Sequence, residues 1–400
     1  MRFGFNDYSS FLLFFFLYGL IFSFLLARTT YLDQLKSSGW LSLFLILCSL
    51  YVSPFMCGYA GWYGLDYYRE FLYFMPLQQL FLIGPIFYFY TRSLIQADFS
   101  FSFREMLHLV PAILYGLYSL IVFVGDVFLF EEYHFYADGR DKDLDFWYQM
   151  SGLISMLFYL GLSLKAYNQY RKRVLDTLSF ADAVLFQWVP RYLISFGIIL
   201  ILRVLFFILN PEWGEFGRKF WYYAWFSILY FYIGISGYTY AIRQGVTNSM
   251  HQTFQEFDWK PTPIMEVVEE APTQSTVLDQ AFLADWTNKI NTKLESDRLY
   301  ADPKLTLNVL ARTLDTNPKV ISQVINQGFE MNFNDFINQH RVEALIEKLK
   351  AGTHHQQTLL SIAFDCGFNS KSTFNRAFKK YKGITPMQFI KNDLEIGAIS

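Results

Sequence analysis

Seven apolar runs, each near the length of a bilayer-crossing helix, fill the first 243 of this chain's 400 residues. They lie at residues 10–27, 40–57, 71–94, 106–124, 146–167, 189–209 and 220–242. The hydrocarbon core of a membrane takes about 17–25 helical residues, so every run is a candidate span. Buried helices of a soluble globule are the competing explanation, but such a globule does not concentrate its apolar residues in repeated runs of this length. Prolines at 54, 76, 85, 111 and 190 do not exclude helices, because packed neighbours can satisfy a kinked backbone. Hydrophobic residues make up 53% of the chain and charged residues 17%, yet the last third is ordinarily polar. The expected fold is therefore all-α. A seven-helix transmembrane bundle covers residues 1–243, a flexible linker 244–278, and a polar domain 279–400.

The short loops set an orientation. Lys165, Arg171, Lys172, Arg173 and Arg191 surround the fifth connection, opposed by Asp176 and Asp182. The fourth connection is acidic, with Asp126, Glu131, Glu132, Asp138, Asp141, Asp143 and Asp145 against Arg140 and Lys142. Basic loops stay in the cytoplasm, which puts the N-terminus outside and the polar domain inside. Arg2, Arg69, Arg218 and Lys219 fall on the outer side and weaken this bias without reversing it. The first run lacks a convincing small-residue cleavage site after Ala27 and is kept as a span.

Arg203 stands inside the sixth run. It reads either as the counter-charge of a ligand in a membrane cavity or as an arginine reaching to the outer interface. Gln78 and Gln79 read as hydrogen-bonding groups between helices before ligand contacts. Cys48 and Cys57 would stand about 13 Å apart along a helix, too far for a disulfide, and Cys366 is alone. His354 and His355 lack ligands at metal-binding spacing. Neither a cofactor nor a metal is expected. The linker interleaves Pro261, Pro263 and Pro272 with Glu266, Glu269 and Glu270, a composition that resists packing.

The polar domain carries the chemistry. Thr306 is placed to cap a helix whose Leu307, Leu310, Ala311 and Leu314 share one face. After a turn at Asp315-Thr316, Asn317 and Pro318 open a second helix. Its inward side is Val320, Ile321, Val324 and Ile325, and its outward side Lys319, Ser322, Gln323 and Asn326. The plan recurs. Thr358 caps Leu359, Ile362, Ala363 and Cys366, Gly367-Phe368 breaks the helix, and Ser370 opens the next. Ser372, Asn375, Arg376 and Lys379 then share an exposed face. Positions 319, 322 and 323 thus correspond to 372, 375 and 376, a constant offset of 53. Two short helices with one polar face are ordinarily just a solvated surface. Two such units at one offset, about 305–327 and 358–381, joined by an amphipathic helix, point to a repeated binding module. Between Phe368 and Gly383 lie five basic residues and no acid, a footprint for phosphates, although the balance over 279–400 is only 15 basic to 13 acidic.

The run from Ser361 through Pro386, with Cys366-Gly367-Phe368, Phe374-Asn375-Arg376-Ala377-Phe378 and Gly383-Ile384-Thr385-Pro386, resembles the signature of AraC/XylS-type transcription regulators. Residues 305–349, including Asn332–Arg341, are similar to the first unit of that domain. The apolar half, with Gly84-Pro85 and His108–Pro111, more loosely resembles polytopic membrane members of the group. The resemblance implies two recognition helices entering successive major-groove segments of double-stranded DNA, about 34 Å apart. Lys319, Ser322 and Gln323 would read bases from the first helix, and Ser372 and Arg376 from the second. Arg376 is the strongest single candidate, since a guanidinium can bond guanine O6 and N7 together. Lys371, Lys379 and Lys380 would hold phosphates, and Asn375 either. Asn317-Pro318 departs from the small-residue start common in that family, which leaves the fine geometry of the first reader open. Arg341 reads as a structural ion-pairing residue.

The expectation is a one-component sensor of the bacterial inner membrane, with DNA, the lipid bilayer, a signal ligand and a second copy of the chain as partners. An apolar half that only anchors or dimerises is the alternative within regulation. A transporter or transmembrane enzyme bearing a DNA-binding tail is the alternative from another class. No G-x-S-x-G, HExxH or phosphate loop, and no buried acid pair in the spans, supports an enzyme. The inducer, the target promoter and the choice between activation and repression have no signature in the sequence.

Overall fold

In the computed structural model the described residues are 4–33, 35–96, 99–130, 132–136, 141–181, 185, 188–209, 216–255 and 279–391. Glu131, Asp138, Arg140 and Asp182, and the prolines and acids of the linker from 256 to 278, lie outside them. The described chain is helical throughout, apart from one isolated antiparallel bridge between Leu178 and Thr306. It divides into two compact units: Met1–Tyr167 with Gln187–Pro263, and Asn168–Phe186 with Ile264–Ser400. The sequence does not anticipate that Asn168–Phe186, which lies between two apolar runs, goes with the polar unit.

The first unit contains α1 (Asp7–Leu32), α2 (Lys36–Tyr59), α3 (Asp66–Phe74), α4 (Leu80–Ile95), α5 (Phe103–Leu129), most of α6 (Phe146–Thr177), α7 (Trp188–Leu209) and α8 (Phe216–Gln255). Among the described residues, five of these (α1, α2, α5, α6 and α7) are long and apolar enough to cross a membrane by length and composition. The count of seven expected from sequence is not reached, and the third run shows why. Pro76 disfavours a helical conformation in the residue before it. Met75 is accordingly extended, at φ −78° and ψ 119°, and ends α3. Helix resumes only at Leu80, leaving α4 with 16 residues, about 24 Å of helix against a core of about 30 Å. The seventh run lies inside α8, a 40-residue helix that continues well past residue 242.

Close packing in this unit rests on small residues. The Ser23 and Ser42 hydroxyls are 2.8 Å apart, and each also donates to the other's backbone carbonyl. A Cβ on Gly19 would fall 2.0 Å from Ser49 Oγ, so any other residue there would force the Ser49 side chain to shift at this approach of α1 to α2. Tyr18 donates across to the Phe231 carbonyl at 2.8 Å, tying α1 to α8. The outward faces are apolar too: Phe14, Ile21, Phe24, Ile121, Ile154 and Ile201 are more than half exposed.

The second unit builds two small cores on one long helix. A lead-in helix α9 (Gln280–Ser296) precedes the first pair, α10 (Leu307–Thr313) and α11 (Pro318–Gly328). The connecting helix α12 (Phe333–Lys350) leads to the second pair, α13 (Leu359–Asp365) and α14 (Lys371–Lys382), and the short α15 (Pro386–Phe389) closes it. Phe333, Phe336 and Ile337 of α12 join Leu310, Ala311, Ile321, Val324 and Ile325 in the first core. Val342, Leu345, Ile346 and Leu349 of the same helix join Ile362, Ala363, Phe374 and Phe378 in the second. One helix thus spaces two otherwise separate apolar clusters. Ala311 and Ala363, both fully buried, stand at the matching close-approach positions of the two pairs.

Candidate nucleic-acid interface

Both helix pairs are set by caps visible in the sequence. The Thr306 hydroxyl accepts from the Val309 amide at 3.3 Å, and Asn317 Oδ1 accepts from Lys319 at 2.8 Å. Thr358 accepts from Ser361 at 3.2 Å and Ser370 from Thr373 at 3.1 Å. Each cap satisfies an amide that the first helical turn leaves without a partner, worth about 1 kcal/mol apiece. Residues 314–317 form the first turn and 366–370 the second, which is longer by one residue. The extra residue goes with Gly367, at φ +93°. A Cβ there would lie 2.4 Å from the Tyr300 carbonyl oxygen, so glycine is required both by the backbone conformation and by this close approach.

The two candidate reading faces point outward. Lys319 is exposed at the start of α11, with Ser322 and Gln323 half-buried one turn on. Ser372, Asn375 and Arg376 are exposed on α14, as are Lys371 and Lys379. Lys380 is also exposed, but its ammonium is 2.6 Å from Asp335 of α12. That pair lines a cleft of about 310 Å³ together with Glu330, Asn338, Gln339 and Tyr381. Lys380 therefore joins α14 to the connecting helix α12, a role its sequence position does not reveal.

Arg341 corrects another expectation. It is structural, as expected, but the hydrogen bonds of its guanidinium go to backbone carbonyls and to the side-chain oxygens of Ser179 and Asn338 instead of a carboxylate. Nε donates to the Tyr300 carbonyl and Nη2 to that of Asp302, both at 2.8 Å. The side chain is 1% exposed, and burial pushes it down to about 10. Its position beside the Phe368 ring puts it where the first core, the second turn and the Ser179 segment meet.

The first unit holds the other sequence candidate. Arg203 is 4% exposed and does not reach toward the surface. Its Nη2 donates to the side-chain oxygen of Gln149 at 2.7 Å and to its carbonyl at 3.1 Å, and the guanidinium lies 5.8 Å from the Tyr51 ring. Gln149 passes a hydrogen bond to Gln78 at 2.8 Å, and the Gln78 amide donates to Asp143. Gln78 thus links helices, whereas Gln79 bonds within its own turn to the Pro76 carbonyl. Asp141, Lys142 and Asp143, which the sequence places in the acidic fourth connection, are all buried, with Tyr115 donating to Asp143. Burial next to Asp143 raises the Asp141 carboxyl far above the usual carboxylate range. The adjacent acid-base-acid triplet was the available signal.

Comparison with known proteins speaks to the second unit. Residues 310–392 match the family model described as a helix-turn-helix domain. The chain is 27% identical over 111 residues to an uncharacterized HTH-type transcriptional regulator of Staphylococcus aureus (strain COL), a match covering 28% of this chain and 14% of that relative. No solved structure matches the chain. The C-terminal part of this protein, with its two capped helix pairs on one connecting helix, therefore carries a helix-turn-helix domain of the AraC type.

Proposed function

We propose that this protein is a membrane-embedded transcription regulator that binds double-stranded DNA with two recognition helices and couples that binding to a signal at the membrane. The observation that carries the reading is the repeated reader. Two helix pairs present Lys319, Ser322 and Gln323, and Ser372, Asn375 and Arg376, at equivalent positions on outward faces. Polar side chains at this spacing suit base edges in the major groove, and the flanking Lys371 and Lys379 suit phosphates. Arg376, Ser372, Lys319, Ser322 and Gln323 read bases, Asn375 reads or positions, and Lys380 reaches phosphate once it leaves Asp335.

Membrane embedding is supported by apolar side chains on the outward faces of α1, α5, α6 and α7, since a soluble surface this apolar would aggregate. The family resemblance and the positive-inside pattern together support a location in the bacterial inner membrane, with the N-terminus outside and the DNA-binding unit in the cytoplasm. The Arg203 site, linked through Gln149 and Gln78 to Asp143, is where a signal ligand with a carboxylate or other acceptor would engage the buried guanidinium. The protein performs no catalysis on this reading, and a second copy supplies a second pair of readers.

The test is selection from random duplexes by the full chain in lipid nanodiscs, with Arg376→Ala in parallel. Two enriched blocks about one helical turn apart are expected. Arg376→Ala should lose preference at one block and weaken that site by about 1–3 kcal/mol. Enrichment of no sequence would overturn the reading.

A further inference from the structure

Residues 178–181 lie, in sequence, between the two long apolar helices α6 and α7, yet they belong to the DNA-binding unit. Leu178 bridges Thr306 in antiparallel fashion, and the Ser179 amide donates to the Leu305 carbonyl at 3.2 Å. Asn334 of the connecting helix donates its side-chain amide to the Leu178 carbonyl at 3.2 Å. Arg341 completes the attachment, donating from Nη1 to the Ser179 carbonyl at 3.2 Å and from Nη2 to the Ser179 hydroxyl at 3.0 Å. Ser179 and Ala181 have no exposed surface.

The DNA-binding unit depends on this segment for a reason of charge. A buried guanidinium is tolerated only when its donors are satisfied. Tyr300 and Asp302 satisfy Nε and part of Nη2, and Ser179 supplies acceptors for Nη1 and Nη2. Without the segment, a cation at the junction of the two cores would lose two acceptors. The attachment also falls on Thr306, the residue that caps α10, so the segment bears on where the first helix pair starts. It leaves Lys319, Ser372 and Arg376 exposed, so it does not act by covering the readers.

We propose that residues 178–181 form a built-in strap, docked on a surface made by Leu305, Thr306, Asn334 and Arg341, whose docking fixes the two readers in DNA-binding register. The surface fits one short turn of the chain's own making, entered through the bridge residue Leu178 and with the small hydroxyl residue Ser179 at the contact. Docked and released straps are the two states between which a signal would choose, since the strap is continuous with α6. This inference rests on the DNA-binding reading above and names its regulation.

Ser179→Pro in the full chain in nanodiscs removes the strap's amide donor without substituting any residue of the helix-turn-helix domain. Hydrogen exchange at residues 305–310 should accelerate, and affinity for the selected two-block duplex should fall about fivefold or more, the lower end of ordinary coupling factors. Ser179→Ala keeps the backbone bonds and loses one Arg341 contact, so a smaller loss in the same direction is expected. Wild-type exchange and affinity in both variants would overturn the strap while leaving the DNA-binding reading intact. Should the wild-type chain select no sequence at all, the DNA-binding reading fails by itself. The exchange data then decide the strap, with faster exchange in Ser179→Pro supporting docking and unchanged exchange refuting it.

Discussion

Single residues in the second unit were readable where their role is local and opaque where it depends on distant partners. Thr306, Asn317, Thr358 and Ser370 announce helix starts because a cap needs only its own next three residues. Gly367 announces a turn for the same reason, although its approach to Tyr300 does not follow from sequence. Arg341 could be placed on a buried helix face, but its carbonyl partners come from residues 39 to 162 positions away. His340, next to it, has a measurable consequence. Burial against Tyr300 and Phe336 lowers its imidazole from the ordinary 6.5. Below about 6.5 the unfolded chain takes up a proton that the folded chain refuses, so stability is lost as pH falls. Opening free energies for amides at 337–345, measured by hydrogen exchange in the full chain and corrected for intrinsic rates, should decline between about pH 7.5 and 5.5. His340→Phe should flatten that decline.

At the scale of elements, periodicity located the helix pairs because each has one apolar face aimed at one core. It overran in the third apolar run. Hydropathy averages across Met75–Gln79, whereas Pro76 breaks the helix by local geometry that a window does not register. In the acidic connection before α6 the sequence shows charge but not burial, because Asp143 is held by Tyr115 and Gln78, partners distant in the chain. Between elements, the Lys380–Asp335 pair joins α14 to α12, and on the proposed reading it would compete with phosphate for the same ammonium. An exposed pair of this kind contributes about 0–1 kcal/mol, so DNA can displace it. Asp335→Asn should free Lys380. The plot of log binding constant against log salt should steepen by up to about one, with tighter binding at low salt. An unchanged slope would place Lys380 off the DNA.

For the whole molecule, composition separated an apolar half from a polar one, because apolar runs and repeated helix pairs are both written in contiguous residues. The assignment of Asn168–Phe186 to the DNA-binding unit was not readable, since the hydrogen bonds and burial that tie Leu178, Ser179 and Ala181 there involve partners far away in sequence. That segment is what a regulator with a sensing membrane half requires, a piece of chain emerging from the apolar helices and built into the reader. The most direct test puts membrane and DNA in one experiment. The full chain is reconstituted in liposomes and floated on a density gradient with the selected two-block duplex or a scrambled one. The protein should remain with the vesicles after alkaline carbonate extraction. In a parallel gradient at neutral pH it should carry the two-block duplex, and not the scrambled one, to the top. Release of the protein by carbonate, or equal flotation of both duplexes, would contradict a membrane-embedded, sequence-reading regulator.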